Sequence, residues 1–219
     1  MFIVDKSPRS IPAENYRTLR TNIKYSIFDN ELKAILVTSS EPGEGKSTTA
    51  GNLALSFAQD EKKTIIIDCD LRRPTLHKRF QISGQNGLSE VIVEKRFEKD
   101  KRKKCVYEYN EYLDVMPAGK IPPNPSEMLS SKIMGELIDR LKEEYDYIII
   151  DSPPVHAVTD AQVLSTKVDG VLLVVRAGKT KKESVIAAKE SLEKVNAKII
   201  GSVLNGVEQS DDKYYHYYG

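Results

Sequence analysis

The chain has 219 residues, enough for one domain of ordinary to large size with a sizeable core. A net charge of +1 argues against a protein that coats nucleic acid through a strong overall field, and no apolar run approaches the ~20 residues of a membrane helix. Two cysteines, Cys69 and Cys105, are too few for a disulfide framework, and residues 1–6 lack a signal peptide's apolar core, so a cytosolic protein is expected.

Residues 12–23 read as a helix. Pro12 suits the first turn, where its missing N–H is not needed. Tyr16, Leu19 and Ile23 fall on one side; Glu14, Arg17 and Arg20 form a charged stripe on another. The stripe is either a solvated face with weak local ion pairs or a subunit contact made by arginine forks.

Residues 34–38, Ala-Ile-Leu-Val-Thr, form a short apolar run that reads as a strand. Residues 40–48 follow as Ser-Glu-Pro-Gly-Glu-Gly-Lys-Ser-Thr, and residues 49–58 carry apolar side chains at helical spacing. Strand, glycine loop, helix is the setting of a phosphate-binding loop. Gly43 and Gly45 let backbone amides approach a polyanion, and the next helix points its free N–H groups at the same spot. Lys46 supplies a compact charge for the β- and γ-phosphates, and Ser47 a hydroxyl for magnesium. Pro42, Glu44 and Thr48 complete the candidate ATP-binding loop. Ser40 stands where the usual pattern has its first glycine.

Ile65, Ile66 and Ile67 predict a strand buried on both faces, ending in Asp68-Cys69-Asp70-Leu71-Arg72. Ligands of open α/β sheets bind beyond the carboxyl ends of strands, which puts Asp68 and Asp70 where a nucleotide-bound metal would meet them. A turn that uses Asp for local hydrogen bonds is the plainer alternative.

Residues 76–110 carry a weaker signal: a turn at 84–88 leading into a short helix, then a basic run of Lys95, Arg96, Lys99, Lys101, Arg102, Lys103 and Lys104. No aromatic ladder is interleaved, so no nucleic-acid partner is expected. The run reads as a solvated loop or, alternatively, a dock for anionic lipid or an acidic partner. Residues 112–119 predict a strand running into a loop, Pro122, Pro123 and Pro125 an extended connection, and residues 126–141 a helix.

Residues 145–151 form another buried strand, stopped by Pro153 and Pro154. Asp151 at its end is placed to contact magnesium. Asp160 opens a helix as an N-cap or serves near the γ-phosphate. Residues 171–176 are a further strand, and Thr180-Lys-Lys-Glu183 has a capping-box pattern. Residues 199–207 form the last strand, with Asn205 near its end as a purine contact or a turn residue. The alternation of strands and helices predicts a three-layer α/β domain, with a mainly parallel central sheet of six or more strands and helices on both faces.

Four tyrosines, Tyr214, Tyr215, Tyr217 and Tyr218, sit in the last six residues, in a segment without aliphatic side chains. A mobile tail over 210–219 is expected, its phenols acting as phosphate acceptors or as an aromatic partner ligand. His77, His156 and His216 show no metal-ligand spacing.

The loop ending Gly45-Lys46-Ser47-Thr48, the Asp68-x-Asp70-x-Arg72 run, the Ile148–Pro154 segment, the Glu14-x-x-Arg17-x-x-Arg20 stripe and the tyrosine cluster together resemble one family. It is that of the bacterial tyrosine kinases of capsule and exopolysaccharide synthesis, in the form of the separate cytoplasmic subunit of Gram-positive bacteria. The resemblance implies a P-loop NTPase fold over residues 1–209 and transfer of phosphate from ATP, with Mg2+, to protein tyrosines. The chain's own tail is included, modified in trans within an oligomer. It implies Lys46, Asp68, Asp70 and Asp151 as catalytic residues, with Asp68 as the base. Ser47, Asp68, Asp70 and Asp151 would surround magnesium, and Arg72 and Asn205 would join the nucleotide site. It makes the Glu14 stripe a ring-forming contact, and implies a transmembrane activator protein that recruits the chain to the inner face of the cell membrane.

A partition-type ATPase switch that phosphorylates no protein is the competing class. Such proteins carry a second lysine and a glycine where this chain has Glu41 and Pro42, which counts against it.

Overall fold

Stretches of β-branched residues form the middle of the molecule because both their faces can be covered. The computed structural model describes residues 2–26 and 32–207. The four tail tyrosines lie outside the described residues. The elements in order are α1 (Ile3–Lys6), α2 (Ile11–Tyr25), β1 (Ala34–Ser39), α3 (Lys46–Ala58), β2 (Thr64–Asp68), α4 (Leu76–Phe80), α5 (Leu88–Val93) and α6 (Lys99–Arg102). There follow β3 (Tyr107–Asn110), β4 (Leu113–Met116), α7 (Pro125–Ser130), α8 (Lys132–Glu144), β5 (Tyr147–Asp151), α9 (Asp160–Ser165), β6 (Gly170–Arg176), α10 (Lys182–Glu193) and β7 (Ile199–Asn205).

The seven strands make one sheet in the order β3-β4-β2-β5-β1-β6-β7, parallel except for β3 against β4. Alternation along β1 sorts the core into two layers. Ile35 and Val37 pack with α1 to α4; Ala34 and Leu36 pack on the other face with α5 and α7 to α10. The three-layer expectation holds. Chain order reverses direction at β1, which lies between β5 and β6, and the carboxyl ends of β1, β2 and β5 meet there as the site's rim.

Four local readings need correction. The helix expected over 126–141 breaks at Ser131, whose ψ of 152° is extended and whose hydroxyl caps α8 by accepting from Met134 N at 3.2 Å. Its apolar period runs through the break, so periodicity alone could not show it. The short edge strand β3 escaped notice, although Tyr107-Glu-Tyr-Asn110 alternates partly buried and exposed side chains as a strand should. The Thr180–Glu183 capping box does not form: Lys181 is the N-cap and makes no side-chain cap. Arg102, read as part of a solvated loop or dock, is 2% exposed and gives Nη2 to both oxygens of Glu144 at 2.7 Å.

Candidate active site

The loop between β1 and α3 takes its shape from its glycines. Gly43 and Gly45 have φ of 82° and 98°, the left-handed region that side chains resist. At Gly45 a Cβ would also lie 1.9 Å from Asn205 Nδ2. That amide donates to Glu44 O at 2.9 Å, so Asn205 at the end of β7 pins the loop from the side. Glu44 is itself buried at 2% exposure. Its Oε2 accepts from Glu41 N at 3.1 Å, and its Oε1 accepts from the Thr180 hydroxyl. Glu41 meets His156 Nδ1 at 3.1 Å across the loop that follows β5. The position of a partition ATPase's extra lysine is therefore a carboxylate held within its own chain.

Lys46 opens α3 and reaches into the site. Its Nζ lies 3.0 Å from Asp70 Oδ2 and 3.8 Å from Asp151 Oδ1, and it donates to Ser47 Oγ at 3.3 Å. Burial alone would lower its pKa, but the charges of Asp151 and Asp70 outweigh it and hold the amine above its ordinary value. Asp68 and Asp151 end adjacent strands in register and are fully buried. Asp68 Oδ1 accepts from Asp70 N at 3.2 Å, and its Oδ2 accepts from Thr75 and Leu76 N at 3.0 Å each. Burial first, then the charge of Asp151, pushes Asp68 up to about 7 against the pull of those amides. Burial raises Asp151 as well, with Lys46 and Ser47 opposing it.

These groups border a cavity of about 640 Å³. Pro42, Gly43, Gly45, Lys46, Ser47 and Thr48 line it from the loop, and Asp70, Arg72, Arg73, Thr75 and Arg79 from the segment after β2. Pro153, Pro154 and Arg176 close it from β5 and β6. Asp68 sits behind Asp70 rather than on the lining. Arg72 lines the cavity, with Nε 3.0 Å from Asp160 Oδ2. Asp160 is thus the fully buried anchor of Arg72 and of the Ser126 hydroxyl, at the first position of α9 rather than at its N-cap. The sequence reading missed Arg73, Thr75, Arg79 and Thr180. Arg73 had a signal in following Arg72 directly, but Thr180 meets Glu44 only through the fold.

Among the described residues, both carboxylate oxygens of Asp151 are buried without a hydrogen-bond partner. Such orphaned acceptors fit a cation held between them and a nucleotide's phosphates. Among the described residues no group of three or more His, Cys, Asp or Glu is gathered as a ready metal cage. Magnesium does not require one, since it binds through one or two carboxylates, water and phosphate oxygens.

On the charged stripe, Arg17 Nη1 pairs with Glu14 at 2.8 Å and its Nη2 donates to Pro8 O at 2.6 Å. Arg20 donates to Ser56 O at 2.6 Å and lies 3.5 Å from Asp60. Both arginines are held by their own chain. No helix among the described residues is long and apolar enough to cross a membrane.

A strand, a glycine loop cradling an open helix N-terminus and a lysine among carboxylates define a P-loop nucleotide-binding protein. Residues 32–202 match the family model described as an AAA domain. Tyrosine-protein kinase YwqD of Bacillus subtilis is 46% identical over 213 residues, covering 97% of this chain and 88% of its own. The putative tyrosine-protein kinase CapB of Staphylococcus aureus is 40% identical over 220 residues, covering 100% of this chain and 95% of its own. The kinase domain of the Escherichia coli tyrosine kinase ETK superposes with a TM-score of 0.90 at 33% identity, over 99% of this chain and 84% of that one. The chain belongs to the bacterial tyrosine-protein kinase family.

Proposed function

We propose that this chain transfers the γ-phosphoryl group of ATP to tyrosine hydroxyls, its own Tyr214, Tyr215, Tyr217 and Tyr218 among them. The observation that carries the reading is Lys46, at the head of α3 and 3.0 Å from Asp70 inside the cavity, in a chain of this family. Catalysis in phosphoryl transfer is mostly positioning and charge stabilisation. The amides of residues 43–48 and Lys46 hold the phosphates; Arg72, tethered by Asp160, borders the same space. Ser47, Asp70 and Asp151 are the groups to hold Mg2+, with Asp68 behind them. When bound, the ion neutralises charge on the phosphates.

The proton of the phenol needs an acceptor. Tyrosine's reference pKa of about 10 and an ordinary aspartate's of about 3.9 leave a gap of roughly 8 kcal/mol for full transfer. Burial and the charge of Asp151 raise Asp68 well above an ordinary carboxylate, which narrows that gap and supports it as the base. Its oxygens are engaged by the backbone of residues 70–76, so that turn has to yield as substrate enters. The proton then moves late, as the bond to phosphorus forms.

Residues 1–209 are read as the kinase domain and 210–219 as the acceptor tail. A neighbouring subunit's tail entering the site suits a ring built on Glu14, Arg17 and Arg20. The family resemblance supports further a transmembrane activator, recruitment to the inner face of the cell membrane and regulation of capsule or exopolysaccharide synthesis. The test is intact mass and peptide mapping after incubation with Mg-ATP. Phosphate is expected on one or more of the four tail tyrosines and absent in Lys46→Met. ATP consumption without mass gain, with the membrane partner supplied, would end the reading.

A further inference from the structure

The cavity carries more positive charge than its own acid balances. Five cations line it, Lys46, Arg72, Arg73, Arg79 and Arg176, against the carboxylate of Asp70 on the lining and those of Asp68, Asp151 and Asp160 behind it. Lys46 pairs with Asp70, and Arg72 with Asp160 behind it. Arg79 gives Nη1 to the neutral Thr48 hydroxyl at 3.1 Å. The side chains of Arg73 and Arg176 have neither an ion pair nor a hydrogen bond among the described residues. Arg176 ends β6 beside Gly206, on the β7 side of the phosphate loop. Arg73 and Arg79 lie on the opposite flank, in and after the turn that carries Asp70. Arg73 N donates to Asp70 Oδ1 at 3.0 Å, which fixes the exposed guanidinium's backbone to the carboxylate beside Lys46.

A nucleotide's phosphates are met by loop amides, Lys46 and the α3 N-terminus, so this flank has charge left for a second anion. We propose that Arg73, with Arg79 beside it, is a specificity subsite that selects acceptor peptides with carboxylates just before the tyrosine. The inference rests on the kinase reading above. The chain contains a segment of matching chemistry: Asp211 and Asp212 precede Tyr214, and two extended residues carry Asp212 about 7 Å along the backbone from it. Exposed ion pairs are individually weak, so two of them give about tenfold selection, and salt screens it.

The experiment compares, at saturating Mg-ATP, a peptide of residues 209–219 with counterparts carrying Asp211→Asn/Asp212→Asn or Asp211→Lys/Asp212→Lys. The wild-type chain is expected to phosphorylate the acidic peptide with a KM about tenfold below that of the neutral one, at similar kcat. Arg73→Gln should cut the difference to about threefold, one of two weak pairs being lost, and Arg73→Glu should turn the preference toward the lysine peptide. Both substitutions are on an exposed side chain and leave the core alone. Equal KM values for the acidic and neutral peptides in the wild type, or an undiminished preference in Arg73→Gln and Arg73→Glu, would overturn the assignment while the kinase reading stands. Phosphorylation of none of the peptides by a chain that binds ATP, with the membrane partner supplied, would overturn both.

Discussion

Asp68 and Asp151 end neighbouring parallel strands in direct register, so two fully buried carboxylates share one rim with Lys46. The backbone amides of Asp70, Thr75 and Leu76 donate to Asp68, yet burial and Asp151 still raise it to about 7.

That shift has a signed consequence for stability. The folded pKa lies above the unfolded value of about 3.9, so between pH 4 and pH 7 the native state binds the extra proton. Asp68 therefore lowers stability as pH rises through about 4 to 7, and its contribution is flat above. Urea unfolding of the wild type and Asp68→Asn should show a stability difference that moves against the wild type by a few kcal/mol across this window. A difference independent of pH would mean that Asp68 is not raised.

Glu44 and Thr180 give a second test. The Thr180 hydroxyl donates to a carboxylate that is 2% exposed and lies within the phosphate loop. Thr180→Ala leaves that oxygen buried without its donor, at a cost of about 1–3 kcal/mol. Part of it should appear as looser nucleotide binding, since Glu44 also holds Glu41 N. Calorimetric titration with ATP should give a severalfold weaker Kd for Thr180→Ala and a near-normal one for Thr180→Ser. Unchanged affinity in Thr180→Ala would show that the loop is shaped without this contact.

Arg102 is a buried charge of a different kind. Glu144 takes its Nη2, while Nε and Nη1 are buried without partners among the described residues. Removing the acid by Glu144→Ala leaves an uncompensated cation, which costs about 3–5 kcal/mol. Replacing both partners, Arg102→Met with Glu144→Met, removes the desolvation cost and leaves no charge unpaired, so the double variant should be near neutral or stabilising. Equal destabilisation by Glu144→Ala and by the double variant, read from denaturant midpoints, would count against this asymmetry.

These cases show what was legible beforehand and why. The phosphate loop, the carboxylates ending β2 and β5 and the layered α/β architecture are written in contiguous residues, where spacing and type carry the chemistry. Thr180 and Glu44 are 136 residues apart, and Arg72 and Asp160 are 88 apart. No local pattern marks such pairs, so Thr180 passed for a helix cap and Asp160 for an N-cap or a phosphate neighbour. Arg102 looked solvated among lysines because its partner lies 42 residues on. The break at Ser131 was hidden because apolar periodicity continues across it.

The charged stripe of α2 yields the last prediction. Arg20 and Arg17 each make hydrogen bonds inside their own chain, so their alanine variants mix lost assembly with lost stability. Glu14 separates the two. Its side chain is 65% exposed and, among the described residues, pairs only with Arg17 three residues on, a contact worth a few tenths of a kcal/mol. Glu14→Lys should therefore leave the thermal midpoint nearly unchanged. If the stripe joins subunits, the reversed charge faces a partner's arginine fork and the assembly shrinks in multi-angle light scattering. Arg20→Ala should lower both the midpoint and the mass, because it also gives up the Ser56 carbonyl and Asp60. An assembly of full size in Glu14→Lys would assign these residues to holding α2 on α3 within one chain, and the ring contact would have to be sought elsewhere.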